Sequence, residues 1–304
     1  MIPELFFTTG TYIMLNSWWL PTLLSAIGLG LYDVCKKHSV KDNSVMPSLF
    51  LATLSGTAFL VILSAITGEL YPALACSLRD FLLVLLKSLL VSSSWICVYY
   101  AMRELPISIA SPIRSTSPMW TMIGGILIFR EIPTIYQGIG MATILIGYLL
   151  FSKIGNKEGF PWKNKGMQLI IAGTLLGAIS ALYDKFLLNT LHLNRQMLQL
   201  YFSLDLVVML GAAWGIRRCF GKNHPFVCKW SIPATGILLI IADYCYFYAL
   251  SLPDAPISMI SLVRRCSCVV SFFVGAMIFK DKNLKEKTWA LILLLAGAVM
   301  LALL

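Results

Sequence analysis

The sequence predicts an all-α integral membrane protein, with ten transmembrane helices arranged as two inverted-topology five-helix repeats. Three observations lead there. Charged residues make up 12% of the chain against 58% hydrophobic ones, and the mean hydropathy is +0.80; soluble domains carry about 25% charged residues. The apolar stretches are long enough to cross roughly 30 Å of hydrocarbon as helix. Polar landmarks recur in the same order in the two halves.

The spans are bounded by charges, prolines and glycines. In the first half they fall at 17–35, 46–68, 80–102, 106–129 and 133–152. In the second they fall at 166–187, 196–217, 229–252, 256–279 and 286–304. The basic stretch KIGNKEGFPWKNK (153–165) is the linker, so the repeats cover 17–152 and 166–304. The opening residues MIPELFFTTGTYIMLNSWW have no basic n-region and no small-residue cleavage site. They read as a lead-in to the first span, not a cleaved signal peptide.

Moving the second half back by 150 positions aligns the ends of the halves. Pro106, Ser108, Ser111, Arg114, Ser117, Gly125 and Gly147 then meet Pro256, Ser258, Ser261, Arg264, Ser267, Gly275 and Gly297. FRE (129–131) meets FKD (279–281), and LYD recurs at 31–33 and 182–184. Five spans is an odd number, so the second half enters the membrane in the opposite orientation. That is the layout of many secondary transporters, whose substrate sites lie near the bilayer midplane where the repeats meet.

The net charge is +10. Sixteen Lys and Arg sit in or beside the connections that follow odd-numbered spans, and four on the opposite side. Such a bias sets topology and attracts anionic lipid headgroups, so membrane lipid is the expected partner and nucleic acid is not. The positive-inside rule makes the lysine-rich side cytoplasmic and puts both termini outside. The eight cysteines form no CxxC pair and read as small hydrophobes packed between helices. No disulfide framework, metal site or cofactor is expected, and the three histidines lie in loops or at span ends.

The stretch YYAMRELPISIASPIRSTSPMWTMIGGILIFREIPTIYQGIGMATILIGYLL (99–150) resembles the second part of an EamA-type repeat. The shared pattern is an aromatic end to the third helix, a Pro/Ser-rich fourth helix, an acidic turn and a Gly-rich fifth helix. FYALSLPDAPISMISLVRRCSCVVSFFVGAMIFKDKNLKEKTWALILLLAGAVML (247–301) is similar to it as a second copy, which lacks the prolines: Pro112 and Pro118 meet Leu262 and Cys268. The resemblance to the drug/metabolite transporter superfamily implies export or exchange of a small metabolite, an amino acid or an organic anion. It also implies cytoplasmic termini, opposite to the charge count.

Four cations fall inside the spans: Lys87, Arg114, Arg264 and Arg265. Asp205 and Asp243 lie at depth, with Asp33 and Asp184 nearer span ends. A central Arg costs about 2.5–3.5 kcal/mol on insertion scales, so such residues face a cavity or a partner. Arg114 and Arg264 are counterparts in the two halves. With Arg265, Ser111 and Ser261 they make a basic, hydroxyl-bordered cluster suited to a carboxylate or phosphate. Trp95, Tyr99 and Tyr246 stand about a turn inside their spans and are the aromatic cavity candidates. Asp205, Asp243 and Lys87 are candidates for charge pairing. Either acid could carry a coupling proton, because an ionised carboxylate is costly in low dielectric.

These readings predict a secondary transporter of the cell (cytoplasmic) membrane working by alternating access, coupled to a proton or an exchanged metabolite. An uncoupled facilitator or channel of the same fold is the alternative. A membrane enzyme acting on lipid is disfavoured, since no HExxH, GxSxG or metal-spaced cluster is present.

Overall fold

The computed structural model describes residues 19–129, 134–161, 163–220, 225–251, 263–264 and 266–302. Among the described residues the chain is all-helical, 85% helix with no strand. In order, the helices are α1 (Trp19–Val40), α2 (Val45–Ile66), the one-turn α3 (Leu70–Ala73), α4 (Leu78–Glu104), α5 (Ile107–Arg114) and α6 (Ser117–Phe129). Then come α7 (Ile135–Lys157), α8 (Lys165–Lys185, continued by a π turn over Phe186–Thr190), α9 (Arg195–Phe220), α10 (Ser231–Ser251), α11 (Ser267–Phe279) and α12 (Leu284–Ala302).

Four of these are long and apolar enough to cross a bilayer: α2, α4, and the segments Lys165–Asp184 and Arg195–Cys219. Shorter apolar stretches lie in α7, α10 and α11. The remaining expected spans are interrupted, carry charges, or run into residues outside the described set. The polarity of α4 shows how a membrane helix differs from a soluble one. Leu78, Leu82, Leu86 and Leu89 point outward at helical spacing. Lys87, Ser88, Ser92 and Ser94 are buried on the opposite face, toward other helices. Apolar atoms meet lipid, and polar groups find partners inside.

The helices pair closely as α1 with α10 and α4 with α8, then α1 with α11 and α6 with α8. Further pairs are α2 with α9, α7 with α12, α2 with α10 and α4 with α9. Small residues permit the tightest approaches. A Cβ at Gly236 would stand 2.0 Å from the Ala52 carbonyl oxygen and 2.6 Å from the Gly56 nitrogen, so α2 and α10 touch backbone to backbone. Gly173 packs against α4 in the same way, its missing Cβ 2.7 Å from Val98 Cγ2. Gly147 and Gly297 lie in the α7–α12 contact, whereas Gly138 has nothing within 4 Å of its Cβ position.

Two expectations are corrected. The fourth expected span, 106–129, is two helices separated at Ser115–Thr116. Pro118 has no N–H to continue the ladder, and the chain crosses the gap with short bonds, Thr116 N to Ile113 O at 3.1 Å and Met119 N to Thr116 O at 3.0 Å. The prolines suggested a kink confined to this span. Yet α11 starts at Ser267, 150 positions after Ser117. The same bonds recur there, Cys266 N to Val263 O at 3.0 Å and Val269 N to Cys266 O at 2.9 Å. The second expectation concerns α1, which continues past residue 35 to Val40 because its lysines are bonded inside the protein and do not end the helix. Likewise α7 runs to Lys157, beyond the expected linker start.

Candidate functional site

Arg114 is the last residue of α5, at the break, and this position turns its side chain toward α1. Its Nη1 donates to Asp33 Oδ1 at 2.9 Å. The same oxygen accepts from Lys36 Nζ at 2.5 Å, and Lys36 is fully buried with its ammonium 4.1 Å from the Tyr32 ring centroid. Ser111 Oγ donates to the other carboxylate oxygen at 3.4 Å and bonds Ser271 Oγ on α11 at 2.5 Å. Arg264, near the matching break, pairs with Asp243 of α10 and stacks over the Tyr246 ring, 4.1 Å from its centroid. Its Nε is buried and finds no hydrogen-bond acceptor among the described residues.

Lys87 meets Asp184 at 2.6 Å and lies 4.4 Å from the Phe202 ring centroid. Asp205 is buried and accepts from Ser88 Oγ at 3.2 Å, between α9 and α4.

These groups surround two joined cavities. The larger, about 500 Å³, is lined by Lys87, Trp95, Tyr99, Asp184, Phe202 and Asp243, among others. The smaller, about 290 Å³, is lined by Leu29, Asp33, Ser111, Arg114, Ser115 and Ser267. Tyr32, Tyr246 and Arg264 line both. A third recess of about 490 Å³ shares Arg195, Gln199 and Ile240 with the larger cavity and reaches the connections at Thr67, Glu69 and Asn194. Pockets of such volume suit small organic ligands.

The opposite, lysine-rich end is closed by polar bonds. Lys37 Nζ donates to Met102 O at 2.7 Å and Leu105 O at 2.6 Å, satisfying carbonyls at the C-terminal end of α4. Asn43 exchanges two bonds with the Val227 backbone, at 2.9 and 3.0 Å. Lys229 Nζ reaches His38 O and Lys41 O. Fully buried Lys287 joins Glu158 and Ser108, each at 2.9 Å, and Ser108 Oγ bonds Asp281.

The structure therefore brings Arg114, Ser111, Arg264, Asp243, Tyr246, Trp95, Tyr99 and Lys87 to the joined cavities. Asp205 lines none of the three. Arg265 and Ser261 lie outside the described residues. Residue type alone had left Asp33, Lys36 and Asp184 out of the site. The recurring LYD at 31–33 and 182–184 was the signal that could have found the two acids.

Residues 16–153 match the model of the EamA-like transporter family. No curated protein matches. A solved structure titled "Crystal structure of protein" superposes with a TM-score of 0.64 at 14% identity, covering 92% of this chain and 95% of that one. At that identity the likeness speaks for the fold alone. The apolar helices with an inward polar face and the family match agree: the first half of the chain is similar to the EamA-like transporter family, a family of membrane transporters for small molecules.

Proposed function

We propose that the protein is a secondary transporter that exports or exchanges a small organic anion across the cytoplasmic membrane by alternating access. Its frame would be ten spans in two inverted repeats, 17–152 and 166–304. The observation that carries this reading is the joined cavity beside the two matched breaks, where Arg114 and Arg264 line one chamber. Interrupted spans at mid-membrane are typical of transporter sites.

Helix pairing supports the repeat. Exchanging the halves turns α1·α10 into α8·α4, α1·α11 into α8·α6, and α2·α10 into α9·α4, all of which are observed contacts. The bonded lysine-rich end and the recess leading the other way support a state open to one side. The arrangement of Arg264 supports proton coupling. A proton on Asp243 would weaken its hold on Arg264 and free the guanidinium for an anion. Asp205, held by Ser88 away from the cavities, is the weaker coupling candidate.

Arg114→Gln is the informative variant, because Asp33 keeps Lys36 as its partner and the variant is expected to fold. In proteoliposomes, saturable organic-anion flux that responds to an imposed proton gradient is expected, and Arg114→Gln or Arg264→Gln should abolish it. Gradient-independent, non-saturating flux would favour a facilitator. Normal flux in both variants would remove the arginines from the site.

A further inference from the structure

We infer that the transported compound is an amphipathic organic monoacid, with its anionic head in the small chamber and its apolar body in the large one. This deepens the anion-transport reading and rests on it. The small chamber is lined by two guanidiniums, one carboxylate and the hydroxyls of Ser111, Ser115 and Ser267, with Leu29 its lone aliphatic among the described lining residues. With the groups paired to these side chains included, three cations (Arg114, Arg264 and Lys36) stand against two carboxylates (Asp33 and Asp243), which leaves the cluster one negative charge short, the complement of a single carboxylate or phosphate head. The large chamber presents Trp95, Tyr99 and Phe202 with Val91, Leu198 and Leu206. Its Lys87 and Asp184 neutralise each other at 2.6 Å, so its inner wall asks for no second charge. Arg195 stands where that chamber meets the outer recess, on the way in.

Arg264 lines both chambers, and its Nε is buried with no acceptor among the described residues. A buried donor left unmade is costly. A short hydrophilic acid would satisfy Arg264 but leave the aromatic walls of about 500 Å³ facing water. A neutral apolar compound would cover those walls and leave Arg264 Nε without an acceptor. A two-part ligand meets both demands at once.

The test uses the purified full chain, with thermal shift and tryptophan fluorescence as readouts. The probes are propionate, 3-phenylpropionate and its neutral amide, with inorganic phosphate and phenyl phosphate as the phosphate pair. One apolar acid should bind at least about tenfold tighter than its short counterpart, from the apolar area it buries. 3-Phenylpropionate should also bind tighter than the amide. Trp95→Ala should pull the apolar acid down toward the short one and leave the short one unchanged. Phe202→Leu reads the same wall should Trp95→Ala fail to fold. Equal binding of short and apolar acids overturns the two-part site and leaves anion binding standing. An amide that binds as tightly as the acid, or no binding by any acid, overturns both.

Discussion

One carboxylate oxygen of Asp33 accepts from two cations, Arg114 Nη1 at 2.9 Å and Lys36 Nζ at 2.5 Å. Lys36 is wholly buried, so its charge has no water to turn to. Asp33→Asn is expected to destabilise the protein by about 3–5 kcal/mol, the usual cost of stripping a buried charge of its partner. Adding Lys36→Met should restore part of that loss. Thermal unfolding of the purified variants reads both, and an unchanged midpoint in Asp33→Asn would show that the carboxylate does not hold the pair together.

Gly236→Ala should separate α2 from α10. The new methyl meets backbone on two sides, at the Ala52 carbonyl oxygen and the Gly56 nitrogen, and the Ser55 hydroxyl on a third, so moving one side chain does not make room for it. Overpacking of this kind costs about 1–3 kcal/mol. Gly138→Ala is the matched control, since nothing lies within 4 Å of its Cβ position. A comparable loss in both would point to helix propensity or expression rather than to the contact.

Two ion pairs near the lysine-rich end share the same N–O distance of 2.9 Å and differ sharply in burial. Lys287 and Glu158 have side chains 0% and 6% exposed, whereas Lys157 and Glu286 are about half exposed. Glu158→Gln should cost about 3–5 kcal/mol. Glu286→Gln should cost about 0–1 kcal/mol. Urea unfolding in detergent compares the two, and equal losses would argue that burial does not govern them.

Lys37→Met removes both bonds that tie α1 to the end of α4. A cysteine placed at Met102, fully buried in the structure, reports on the consequence. In a background with the exposed Cys219, Cys228 and Cys266 changed to Ser, Lys37→Met should speed alkylation of that cysteine several-fold. An unchanged rate would mean the lysine caps carbonyls without closing the end.

The membrane character and the doubled pattern were legible because composition and polar landmarks survive in a linear string. Arg114 and Arg264 could be found as counterparts for the same reason. The pairing of their charges could not. Asp33 sits 81 positions from Arg114, and its place near two lysines at a span end made it look like a boundary residue. Only the packing of α1 against α5 and α11 puts it inside. The helix break was half legible. Pro112 and Pro118 announced it in one copy, and nothing of the kind stands at Leu262 and Cys268.

Thr116 and Cys266 are different residues at matched positions, and each donates its N–H three residues back and lends its carbonyl three residues on. Prolines accompany the interruption in one half and are not required for it in the other. Ser115 of the first half and Arg265 of the second differ at matched positions, while the same short backbone bonds recur beside them. Such a scaffold can change what it carries without first relearning how to fold.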